Sequence, residues 1–163
     1  MELYHGGMEA VERPRIINPA NYRTTDFGAG FYTTTDYEQA RKWVLIRRSR
    51  FQTAGGFVSV FEAPDDLLQD ERLSRLVFQS ADKRWLEFVM NNRNHADFSH
   101  DYDLVAGPVA NDRVYAALTL FEEGLLDFDE TIRRLKTYEL INQILFHTEK
   151  SLRELTFLRS GRI

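Results

Sequence analysis

Cysteine is absent from the 163 residues, which excludes disulfides and thiolate chemistry and agrees with a reducing compartment. Met1 leads into ELYHGG with neither a basic region nor an apolar run. The expectation is therefore a cytoplasmic protein with no signal peptide and no membrane partner. Repeats, low-complexity tracts, linkers and a glycine-rich phosphate loop between strand and helix are all missing. The formal charge of -4 gives no global field for nucleic acid. The basic cluster at Arg47, Arg48 and Arg50 reads as the solvated end of a helix, where cations complement the dipole. What is present, 43% hydrophobic and 13% aromatic residues, is enough for one globular domain over residues 1–163.

Strand-like runs recur at ELYHG, FYTTT, GFVSVFEA, YDLVAGPVA, NQILFHT and ELTFLRS. Between them lie helical patterns. One starts at Asp36, whose carboxylate can cap the first free N–H groups, and turns Ala40, Trp43 and Val44 to one side. A second begins near Ser80 with Trp85, Phe88 and Val89 on one face. A third has Asn111 or Asp112 as cap and Gly124 as stop, and a fourth carries Ile132, Leu135 and Leu140 inward. Strands and helices interleave irregularly, so the expected class is α+β with mainly antiparallel strands, not a doubly wound sheet.

The segment Asp26–Asp36, DFGAGFYTTTD, combines a glycine turn, a short strand and a helix cap. His5 in YHGG ends a first strand and is followed by two glycines whose backbone can approach a ligand. His147 shares the strand face of Gln143 by period two. HADFSHDYD holds His95, Asp97, His100, Asp101 and Asp103, but the spacing fits no closed zinc pattern and no metal is expected there. Asn111 precedes a helix and reads as a cap. No signature supports paired glycosidase carboxylates or a serine–histidine–aspartate set.

YHGG, GAGFYTTTD and NQILFHTEKSLRELTFL in that order resemble the ADP-ribosyltransferase superfamily, in its diphtheria-toxin-like and poly(ADP-ribose)-polymerase-like branch with a His-Tyr-Glu triad. The chain also resembles an uncharacterised bacterial family placed there, whose members often resemble the toxin of toxin–antitoxin pairs. The resemblance implies an ADP-ribosyltransferase-like fold of split antiparallel sheets with flanking helices, NAD as co-substrate and no metal. It implies His5, Tyr32 and Gln143 as the catalytic set, with His5, Gly6, Gly30, Phe31, Tyr32 and Trp43 binding NAD. Nicotinamide would lie between Tyr32 and Trp43, eleven residues apart, with Gly6 offering its backbone to the carboxamide. The acceptor would be a protein or nucleic acid, and an antitoxin protein a further partner.

The departure is Gln143, where active members of that superfamily carry glutamate. A glutamine brings no negative charge to an oxocarbenium-like transition state. That favours single transfer over chain elongation, and keeps a weak or inactive NAD-binding module and an NAD hydrolase as alternatives. Glu139, Glu149 and Asp112 are the carboxylates that could substitute.

Overall fold

The computed structural model describes residues 1–17, 25–95, 97–108, 112–136 and 142–163. Among these, seven strands form β1 (Glu2–Gly7), β2 (Phe31–Thr34), β3 (Phe57–Glu62), β4 (Arg75–Val77), β5 (Leu104–Pro108), β6 (Asn142–Phe146) and β7 (Thr156–Arg162). Five helices accompany them: α1 (Tyr37–Phe51), α2 (Lys83–Asn94), α3 (Asp112–Glu122), α4 (Phe128–Leu135) and α5 (Glu149–Leu152). The class is α+β.

The strands make one sheet in the order β4-β5-β6-β2-β1-β3-β7. All neighbours are antiparallel except β4 and β5, which run parallel. Two split sheets were expected, and the difference lies in β6. Its residues pair with β2 on one edge and β5 on the other, Leu145 facing both Tyr32 and Val105, so one strand joins what would have been two sheets.

Local chemistry explains the helix ends. Asp36 accepts from the Glu38 and Gln39 amides at 2.8 and 3.2 Å and so starts α1. In α2 the cap is Asp82, which accepts from the Trp85 amide at 2.9 Å, so the helix begins three residues after Ser80. Gly124, at φ +72°, follows the end of α3 in the left-handed conformation that a glycine adopts without strain. Asn111 and Leu140, expected as a cap and a core residue, lie outside the described residues.

Strand alternation divides the core between two faces of the sheet. On the first face α1 lays Ala40 and Val44 against Val58, while α2, α3 and α4 bring Trp85, Leu86, Val114, Leu118 and Leu135 onto Val105 and Leu145. Trp85 is fully buried and its Nε1 donates to the Pro108 carbonyl at 3.1 Å. On the second face Leu3, Phe31, Phe61, Ile144 and Phe146 pack with Leu67 and Leu152. On the first face, therefore, α1 meets the sheet on one side of β2 and the other helices meet it on the other side.

Candidate functional site

The ladder between β1 and β2 holds only at Tyr4–Thr34. Beyond that pair the two strands part, although β1 stays paired with β3 through Gly7 and β2 stays paired with β6 from Phe31 to Thr34. His5, Gly6 and Gly7 thus line one side of a slit without ladder partners on β2.

His5 bridges this slit. Its Nδ1 donates to the Tyr32 carbonyl at 2.7 Å, and its ring stacks on Phe31 with centroids 4.4 Å apart and planes 25° from parallel. Burial pushes the imidazole pKa down, the Tyr32 carbonyl opposes that shift, and the charge of Arg47 adds to it. A carbonyl partner fixes the Nδ1–H tautomer, which leaves Nε2 as an acceptor. Nε2 lies beside Gly7, where an added Cβ would stand 3.2 Å from it.

Gly6, Tyr32, Thr34, Gln143 and Leu145 share the first face by alternation, and α1 lies directly over Gly6, where a Cβ would fall 2.3 Å from the Ala40 carbonyl oxygen. Gln143 is 7% exposed and stands between Thr34 and Gly107 on the neighbouring strands. Trp43 sits on the exposed side of α1, 37% accessible and without a ring contact among the described residues. It precedes Arg47 by one turn on the same flank, and the charge of Arg47 is felt at His5. The opposite flank is marked by Arg48, which donates to the Ile163 carbonyl at 3.0 Å. Trp43 therefore lies on the Arg47 flank of α1, opposite the flank of Arg48.

The loop Asp26–Gly30 forms the lip before β2. Tyr32 Oη donates to the Gly28 carbonyl at 2.6 Å, and His147 Nδ1 donates to the Ala29 carbonyl at 2.5 Å. His100 interacts with the Phe27 carbonyl and meets the His147 ring edge-on, centroids 4.5 Å apart. Burial, with a smaller contribution from the neighbouring His100, lowers the His147 pKa to about 4 against the pull of the Ala29 carbonyl, so the ring is neutral at pH 7. At the root of the lip, buried Asp26 approaches Arg93 at 3.6 Å, and Arg93 also binds Glu122 at 3.1 Å.

Several expectations change against this geometry. Of His5, Tyr32 and Gln143, only the last two present side chains on the same face, and His5 joins them through the Tyr32 carbonyl. Phe31, expected in the NAD-binding set, is 1% exposed with its ring under His5, because alternation turns it to the second face. Gly30 is required by β6, since a Cβ there would come within 2.8 Å of the Phe146 carbonyl oxygen. Glu149 is exposed at the start of α5, Asp112 opens α3, and Glu139 lies outside the described residues.

The polar run around HADFSHDYD disperses. His95 and Asp97 are exposed, His100 turns to the lip, and Asp103 accepts from the Ser74 amide and the Thr148 hydroxyl at 2.9 and 2.6 Å. Among the described residues, no three His, Asp or Glu side chains converge on a metal-sized site. Sequence reading named His100 only within a polar run and missed its contact with the lip and the Asp26–Arg93–Glu122 chain, because both depend on contacts between segments far apart in the chain. Two surface hollows, of about 460 Å³ beside Met1 and Arg153 and about 330 Å³ between Leu86, Met90, Phe121 and Phe128, include none of His5, Tyr32, Trp43 or Gln143. His5, Gly6 and Tyr32 lie instead where the ladder between β1 and β2 opens.

Residues 1–157 match a family described as a protein of unknown function, DUF3990. The chain belongs to the DUF3990 family. No curated protein matches it. The matched region runs from β1 through β6, so the slit, the lip and the strand of Gln143 are all parts of the DUF3990 unit. Only residues 158–163, most of β7, lie beyond it.

Proposed function

We propose that this DUF3990 protein is a mono-ADP-ribosyltransferase of the ADP-ribosyltransferase-like fold. It binds NAD at the β1–β2 slit and moves ADP-ribose to a protein or nucleic-acid acceptor, releasing nicotinamide. The observation that carries this reading is the ladder that opens beyond Tyr4–Thr34, leaving the Gly6–Gly7 backbone without ladder partners on β2, with Trp43 exposed on the helix that covers Gly6. Backbone N–H and C=O groups in that opening can hold a carboxamide, and two aromatic side chains can cover the faces of its ring. Neutral His5 supplies an acceptor at Nε2 for a ribose hydroxyl, and Arg47 supplies a cation for the diphosphate.

In the reaction, the bond between the nicotinamide nitrogen and the ribose anomeric carbon breaks, and its electron pair leaves with nicotinamide. The acceptor's oxygen or nitrogen bonds to the anomeric carbon, and its proton passes to solvent. The protein fixes the geometry and holds the leaving group. Gln143 can hydrogen-bond a ribose hydroxyl but cannot offset the developing positive charge, which favours slow, single transfer. The resemblance to toxins of toxin–antitoxin pairs supports a role as a toxin held in check by an antitoxin protein. A second reading, an NAD-binding module with little or no turnover, is favoured by Gln143 alone.

Trp43 gives the cleanest test, because it is exposed and its removal leaves the core untouched. Calorimetric titration of NAD into Trp43→Ala is expected to show about tenfold weaker binding, the scale of one lost stacking contact, with an unchanged melting temperature. Equal affinity in both proteins would remove Trp43 from the site and with it the aromatic slot.

A further inference from the structure

Three successive carbonyls of the lip each meet a side chain: Phe27 and Ala29 meet the distant His100 and His147, and Gly28 meets Tyr32 on the adjoining β2 and the Thr25 hydroxyl at 3.3 Å. A loop of this kind ordinarily satisfies its carbonyls with water or with its own backbone. Here two of the partners are histidines in edge-on contact with each other. Gly30 makes the arrangement possible, since a Cβ at that position would stand 3.2 Å from His147 Nδ1.

The bond from His147 has a cost. Its Nε2 is buried and has no hydrogen-bond partner among the described residues, an arrangement that folded proteins generally avoid. A phenylalanine or leucine would fill the same space without an orphaned nitrogen, so the side chain is explained by the bond at Nδ1 rather than by packing. His147 also directly follows β6, whose Gln143 lies four residues upstream on the same face as Tyr32.

We infer that His147 is a positioning residue: through Nδ1–H it ties the lip to the end of β6, and so fixes the Gly28 carbonyl that holds the Tyr32 hydroxyl. The lip, the Tyr32 ring and the strand of Gln143 then move as one unit. His100 seats the His147 ring from the side and occupies the preceding carbonyl. For NAD, and resting on the reading of the slit as its site, this unit fixes the angle at which Tyr32 meets the nicotinamide ring.

Asparagine and glutamine separate this role from mere filling, because an Asn amide nitrogen overlays imidazole Nδ1 whereas a Gln amide overlays Nε2. His147→Asn keeps the donor to Ala29, and His147→Gln moves it away. Amide hydrogen exchange at Gly28, Ala29, Gly30 and Tyr32 is expected to be as slow in His147→Asn as in the parent, and about tenfold faster in His147→Gln, the equivalent of one lost hydrogen bond. NAD affinity, measured by calorimetry on the same proteins, is expected to follow that order, with ADP-ribose, which lacks nicotinamide, bound equally by all three. Equal exchange at the lip in all three proteins would overturn the inference. A parent protein that binds no NAD would overturn the reading of the slit, and the exchange measurement would still decide the role of His147.

Discussion

Gln143→Glu is expected to accelerate nicotinamide release from NAD by roughly ten- to a hundredfold. The side chain stands on the face it shares with Tyr32 and Gly6, one strand pairing from Thr34, and replacing its amide with a carboxylate adds a negative charge without changing its length. Charge aimed at a developing cation in a site of low exposure is worth about 3 kcal/mol when single groups are removed from comparable sites, which sets the upper end of the range. The same substitution acts on stability in the opposite direction. Gln143 is 7% exposed, so the new carboxylate is desolvated and its charged form is disfavoured. The melting temperature at neutral pH should fall while turnover rises, and NAD binding should offset part of that fall. Single-turnover measurement of nicotinamide release separates the effects, with Gln143→Ala as a control that gains no charge. An unchanged rate in Gln143→Glu, with NAD affinity intact, would mean that this side chain does not face the reacting carbon.

The largest structural effect is expected at Gly6. A methyl group there would lie 2.3 Å from the Ala40 carbonyl oxygen and 3.3 Å from a Val44 methyl, and the first of these is helix backbone that cannot rotate aside. Either α1 lifts from the sheet or the β1–β3 ladder breaks. Overpacking of this kind costs about 3 kcal/mol, which for a chain of this size lowers the melting temperature by roughly 10 °C. Gly161→Ala is the matched control, because nothing lies within 4 Å of a Cβ there. It should melt near the parent temperature. Because α1 carries Trp43, the folded fraction of Gly6→Ala should also bind NAD more weakly. Two alanine variants that melt alike would show that α1 is not seated on Gly6, and the slit would lose its roof.

Much of the fold was legible because its signals are local. Asp36 announced α1, the strand runs at residues 2–7, 57–62 and 104–108 stood out by composition, and Gly124 ended α3 where it was expected. β4, only three residues long, escaped notice because so short a run has no measurable period. The joining of the sheet through β6 escaped as well, since a strand's number of neighbours is a long-range property. For the site, Tyr32, Gly6 and Trp43 were marked by the resemblance, and the geometry adds the ladder that opens between β1 and β2. One residue of alternation turns Phe31 to the other face of the sheet from Tyr32, with its ring stacked on His5. The lip was read as a glycine turn, and nothing in DFGAG tells that its carbonyls are held by His100 and His147 from more than 70 residues away along the chain.

The central claim, that the β1–β2 slit binds NAD and transfers its ADP-ribose, is most directly tested in one experiment. The purified protein is incubated in cell lysate with NAD labelled in its adenylate half, nicotinamide release is followed alongside label on macromolecules, and Tyr32→Ala is run beside it. The account predicts release accompanied by label on a protein or nucleic acid, both lost in Tyr32→Ala. Release and labelling that survive intact in Tyr32→Ala would contradict it, as would a parent protein that neither releases nicotinamide nor labels any acceptor.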